Sequence, residues 1–267
     1  MSAHGRFVLR ALLALFVLPL SGWNSAARAA DPSSPPPTPA AEAPVVAAVA
    51  ASTAEAVGEI ARRFTTQTGL AVEVSPGSSS KLAKQIVEGG PANVFLSADQ
   101  ANAELLASRS LVKERRVLLR NRLVLVVPTG NPAGVHGLAD LARDEVRELA
   151  LAVEGVPAGE YAREALRGAG LWEKLQHKVI GGEDVRAALA FVERGASAGI
   201  VYFTDSIGDS RVEVAAPIDA SLHRAIEYPL LLVGREPASP ATRRFYDHLA
   251  SPAAAQVFRA HGFEVAP

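Results

Sequence analysis

The chain has 267 residues, a formal net charge of −1 and no cysteine. With 49% hydrophobic and 21% charged residues it is composed as a globular protein, which excludes wholesale disorder. The absence of cysteine excludes disulfides, and the near-neutral balance lacks the basic face that nucleic-acid binding requires.

In chain order, Met1–Ala29 reads as a secretory signal. Arg6 and Arg10 form a positive n-region, Ala11–Leu20 is a short apolar stretch, and Ala27-Arg28-Ala29 is a small-x-small cleavage site. The apolar stretch is shorter than the roughly 20 residues that span a bilayer, so it is expected to be removed and not to remain as an anchor. Removing its three arginines leaves 24 basic against 28 acidic groups, so the mature chain would be net negative. Residues 30–44 are expected to be a disordered tether, because Asp31–Pro44 carries six prolines and no apolar periodicity.

From Val45 onward, strand-like and helix-like segments alternate. Strands are expected at Val45–Ala50, Ala71–Ser75, Val94–Leu96 and Leu123–Val127, with helices at Thr53–Thr66, from about Ser79, and at Ala101–Ala107. A second set places strands at Leu149–Val153, Val179–Ile180, Ile200–Phe203 and Leu230–Val233, and helices at Ala158–Arg167 and Asp184–Arg194. Helices over Pro240–Ala250 and Pro252–His261 close the chain. Such alternation predicts an α/β fold with parallel layers. The apolar strands ending at Pro128 and beginning after Pro229 predict two crossings between two lobes. Residues 45–128 plus 226–267 would form one lobe and 129–225 the other.

Four strand-to-helix junctions carry small, hydroxyl or acidic residues: Ala50-Ala51-Ser52-Thr53, Pro76-Gly77-Ser78-Ser79-Ser80, Val156-Pro157-Ala158-Gly159 and Gly182-Glu183-Asp184-Val185. Such residues first of all cap helices, for about 1 kcal/mol each. Helix starts also present unpaired N–H groups and a partial positive charge at the carboxyl ends of strands, where open α/β sheets bind ligands. Several of them facing one cleft would hold an anion without lysine or arginine. The run of three serines exceeds what capping needs.

The segments AVAASTAEAVGEIARRF, PGSSSKLAKQIVEGGPANVFLSADQ, VPAGEYAREAL, EDVRAALAFVERGASAGIVYFTD, IEYPLLLV and FYDHLASPAAAQVFRAHGF resemble, in order and over nearly all of the chain from Val45, the periplasmic molybdate-binding proteins of bacterial molybdate ABC transporters. The resemblance implies a two-lobed clamshell fold of the periplasmic-binding-protein type with two crossing strands. It further implies a monomer, high-affinity binding of molybdate or tungstate, and a membrane permease as partner, with no cofactor and no catalytic residue. It assigns ligand contacts to the hydroxyls of Ser52, Ser79 and Tyr202 and to the backbone N–H groups of Ala158 and Val185. Molybdenum would enter only as the oxyanion, without protein ligands to the metal. Thr53 and Lys81 depart from residues found in some relatives. Lys81 is expected to be a solvated residue of the first helical turn.

Two other readings compete. One is a binding protein for sulfate, thiosulfate or phosphate. The other is an exported serine hydrolase using Ser197, within Gly195-Ala196-Ser197-Ala198-Gly199, or Ser78, within a Ser-x-x-Lys pattern. The hydrolase reading fails on order, since the nucleophile elbow needs a strand before the serine and a helix after it, and the reverse is expected here. The six histidines are scattered and offer no zinc spacing.

Overall fold

The computed structural model describes residues 43–234 and 236–267. The expected signal and nearly all of the tether therefore lie outside the described residues.

The amino-terminal part runs β1 (Val45–Ala50), α1 (Ala54–Thr68), β2 (Val72–Gly77), α2 (Ser79–Val87), β3 (Val94–Leu96), α3 (Gln100–Ser108) and β4 (Val112–Asn121). The middle follows with β5 (Leu123–Pro128), β6 (Leu149–Ala152), α4 (Pro157–Gly168), α5 (Trp172–Leu175), β7 (Val179–Gly182), α6 (Val185–Glu193), β8 (Ala198–Tyr202), α7 (Phe203–Ser206) and β9 (Val212–Pro217). The chain closes with β10 (Ile226–Val233), α8 (Pro240–Leu249), α9 (Pro252–Ala260) and β11 (Glu264–Val265). Two sheets result, one ordered β11-β4-β10-β3-β1-β2 and the other β7-β6-β8-β5-β9.

Both sheets contain the expected parallel strands and are mixed, each with antiparallel members as well. β1 is parallel to β2 and β3, whereas β10 runs antiparallel to β3 and β4. In the second sheet β6 is parallel to β7 and β8, while β5 is antiparallel to β8 and β9. The reversed strands are β10, by which the chain re-enters the first sheet, and β5, by which it enters the second, and no α-helix lies between either of them and the strand before it. Sheet membership changes at Arg122, because β5 pairs with β8 and β9. That is six residues before the boundary expected at Pro128. The return falls between β9 and β10, beside the expected residue 226.

Local sequence explains the helices that matter. α1 buries Ala56, Val57, Ile60, Ala61 and Phe64 at helical spacing and ends at Gly69, whose φ of 74° supplies the left-handed cap. Ser239 and Ser251 cap α8 and α9, each followed by proline at the first helical position. One contiguous apolar core runs through residues of both sheets, from Val45 to Phe263. A smaller cluster of Ala48, Leu82, Phe95, Leu106 and Leu231 is built from α2, α3 and the first sheet.

Candidate functional site

The carboxyl ends of the parallel strands point at one place. β1 ends at Ala50 and a single 3-10 turn, Ala51–Thr53, leads into α1. β2 leads through Ser78 into α2, β6 leads to α4, and β7 leads through Asp184 into α6. A cavity between them is lined by Ser52, Ser79, Ala158, Val185 and Tyr202, together with Gly77, Ser78, Ala98, Pro157 and Asp184. All five residues assigned to ligand contact thus share one cavity. The cavity is narrow, with ≈ 10 Å³ of open space.

Each lining group is prepared as a donor. Ser78, not Ser79, caps α2 by accepting the Lys81 N–H at 3.3 Å. The Ser79 oxygen instead accepts the Ala98 N–H at 2.9 Å, which leaves its own proton free to donate. Pro157 occupies the first position of α4 and has no N–H, so Ala158 carries the first donor of that helix end. Val156 gives no side-chain cap there. At α6 the Asp184 carboxylate, which also lines the cavity, caps the helix by accepting the Ala187 N–H on Oδ1 at 2.9 Å. The Val185 N–H, two residues earlier in that turn, is not the one Asp184 caps.

Tyr202 is 1% exposed, and its hydroxyl is buried with no hydrogen-bond partner among the described residues. Burial pushes this phenol well above the usual tyrosine range, so it stays protonated and able to donate. A buried unpaired hydroxyl costs about 1–3 kcal/mol, and such a group at a cavity wall fits a polar ligand. Ser52 is 4% exposed, and its oxygen lies 3.0 Å from the Tyr228 hydroxyl. Neither lysine nor arginine lines the cavity, and Lys81 is exposed. Thr53 is turned away, donating to the Ala50 carbonyl at 2.8 Å.

Sequence reasoning missed Tyr228 and Asn121, which stand behind Ser52. It also missed Asp205, which is fully buried beside Arg186, with the Arg186 Nε 2.8 Å from Oδ1. Tyr228 lay within a quoted segment, but nothing local marks it as different from a core tyrosine.

Ser197 belongs elsewhere. It sits between α6 and β8, where its oxygen accepts the Arg147 N–H at 3.0 Å, and a helix precedes it and a strand follows. A roomier surface hollow, ≈ 500 Å³, lies beside Gly89, Gly90, Val233 and Pro237. Of the polar side chains that line it, Asn93 accepts the Val46 N–H and Ser239 caps α8.

Residues 45–264 match the bacterial extracellular solute-binding protein family. The molybdate-binding protein ModA of Escherichia coli is 37% identical over 238 residues, covering 84% of this chain and 90% of that protein. The molybdate-binding protein ModA of Haemophilus influenzae is 39% identical over 236 residues, covering 84% of this chain and 91% of that one. Among solved structures, the periplasmic molybdate-binding protein of Azotobacter vinelandii superposes with a TM-score of 0.75 at 24% identity, covering 84% of this chain and all of that one. That likeness establishes the fold.

Proposed function

Because the chain belongs to the ModA family of bacterial extracellular solute-binding proteins, we propose that it captures molybdate or tungstate outside the cytoplasmic membrane and delivers it to the permease of an ABC transporter. The observation that supports this most is the buried, unpartnered Tyr202 hydroxyl facing a cavity otherwise walled by serine hydroxyls and helix starts. Ser52, Ser79 and Tyr202 would each donate a proton to an oxygen of the anion, and the backbone N–H groups of Ala158 and Val185 would supply the rest. Two helix ends, those of α4 and α6, add their dipoles. Ser52 and Ser79 follow strands of the first sheet, and Ala158, Val185 and Tyr202 follow or end strands of the second. The anion would therefore bridge both lobes and favour the closed arrangement that a permease recognises.

A donor-only site suits a fully deprotonated dianion. Protonated phosphate needs an acceptor, and none of the five proposed contacts supplies one; the Asp184 carboxylate, which also lines the cavity, binds the Ala187 N–H through Oδ1. Sulfate shares the charge and shape of molybdate and is smaller, so a fixed ring of donors would leave bonds to it unmade, at about 1–3 kcal/mol each. The protein would act as a binder and catalyse no reaction, and the amino-terminal signal would export it.

The test is a melting curve of the mature protein with molybdate, tungstate, sulfate or phosphate. Ligand at about 1,000 times its dissociation constant stabilises by roughly 4 kcal/mol. Molybdate and tungstate should raise the melting temperature and the other two should not. Equal stabilisation by sulfate would refute the size argument.

A further inference from the structure

Ser52 does not stand alone at the cavity wall. Behind its oxygen lies the Tyr228 hydroxyl at 3.0 Å, and behind that lies Asn121 Nδ2, 3.2 Å from the same phenolic oxygen. Tyr228 is fully buried and comes from β10, 176 residues away in sequence. Asn121 is the last residue of β4, next to the point where the chain changes sheet. Its Nδ2 also donates to Thr204 Oγ1 at 2.9 Å, in the second lobe.

The orientation of the Asn121 amide follows from one contact. Asn121 Oδ1 accepts the Arg122 N–H at 2.9 Å. An N–H can only donate, so the oxygen end of the amide must face it and the NH₂ end must face Tyr228 and Thr204. Asn121 then spends one proton on each of them. Tyr228 receives a proton on its oxygen, which leaves its own proton available to the Ser52 oxygen 3.0 Å away. A Ser52 that accepts that proton keeps its own hydrogen for the cavity that it lines.

We infer that Tyr228 and Asn121 are positioning residues that fix the Ser52 hydroxyl as a donor to the bound anion. Without them a serine hydroxyl can rotate and act as donor or acceptor, and a lone pair turned to a dianion would repel it. The chain also polarises cooperatively, each bond strengthening the next. Through Thr204, Asn121 ties this orientation to the lobe that carries Tyr202. The inference rests on the oxyanion reading proposed above.

The experiment is a double-mutant cycle on molybdate affinity, measured by calorimetry on the mature protein, with Tyr228→Phe, Ser52→Ala and the pair. Tyr228→Phe keeps the ring, and with it the edge contacts to Tyr202 and Phe263 at 5.8 and 5.6 Å between centroids, so the variant should fold. A melting curve of each variant without ligand checks this. Tyr228→Phe should weaken molybdate binding about three- to tenfold, the range of one ordinary hydrogen bond. In the Ser52→Ala background the same change should leave affinity within about twofold, because no hydroxyl remains to orient. A Tyr228→Phe protein that binds like the parent overturns the inference, and so does an equal loss in both backgrounds, which would mean a packing role. A parent that binds no molybdate at all refutes the oxyanion reading itself, an outcome distinct from either.

Discussion

Ser79 Oγ and the Ala98 N–H lie 2.9 Å apart, both buried at the cavity wall, so a hydroxyl that lines the cavity is also the acceptor for the backbone after β3. The neighbouring Ser78 has the capping duty, through the Lys81 N–H. Two serines adjacent in sequence therefore carry separable tasks.

Ser79→Ala should weaken molybdate binding about tenfold to a hundredfold, since bonds to charged groups are worth roughly 1.5–3 kcal/mol. It should also lower stability by about 1–3 kcal/mol, because the buried Ala98 N–H loses its acceptor. Ser78→Ala should cost about 1 kcal/mol through the lost cap and change affinity little. Calorimetric affinity beside a melting curve for each variant separates the two. Parent-like binding by Ser79→Ala would remove this serine from the site.

Tyr202→Phe should move binding and stability in different directions. The phenolic oxygen has no partner among the described residues, so its removal leaves the ligand-free protein at least as stable, and a gain of about 1 kcal/mol would raise the melting temperature by roughly 2–4 °C. Molybdate affinity should fall about tenfold to a hundredfold. A variant that loses stability and keeps its affinity would identify Tyr202 as a core residue.

Gly159 permits the close approach of α4 to β6. A methyl group there would fall on the Ala152 carbonyl oxygen and lie 2.7 Å from that of Val153, and neither backbone atom can swing away. The same Ala152 carbonyl accepts a bond from the buried Arg163 at 2.9 Å. Gly159→Ala should destabilise the fold by about 1–3 kcal/mol and displace the Ala158 N–H, weakening binding as well. Thermal unfolding and calorimetry on one sample check both. An unchanged affinity would show that Ala158 is not a contact.

Asp205 gives a pH dependence with a definite sign. Burial pushes its carboxyl up to about 7 against the pull of Arg186. An unfolded aspartate titrates near 3.9, so between about pH 4 and pH 7 the native state holds a proton that the unfolded chain has released. This group therefore contributes stability at low pH, and the contribution is lost as pH rises through that window. Asp205→Asn mimics the protonated form, so its melting temperature should gain on the parent from pH 5 to pH 8. Curves that stay parallel over that range would show that Asp205 ionises like an exposed aspartate.

The sequence by itself determined the elements whose burial is periodic. Val57, Ile60, Ala61 and Phe64 announce α1, and the unbroken apolar run of Leu123–Val127 announces β5, because one face or both faces of each are covered. β4 was hidden: Lys113 to Arg116 are exposed, so its first half shows no alternation, and the strand exists because β10 and β11 pair with it on either side. β9 was hidden for the same reason, with Glu213 and Val214 exposed to solvent. The hydroxyl-bearing helix starts, and through the family resemblance the five candidate contacts, were also legible, since each lies in a short local segment. Only the tertiary structure decided which serine caps and which faces the cavity, that sheet membership changes at Arg122, and that Tyr228 and Asn121 stand behind Ser52. Those outcomes depend on hydrogen bonds between residues as far as 176 positions apart, and the direction of such a bond follows from the three-dimensional order of donors and acceptors.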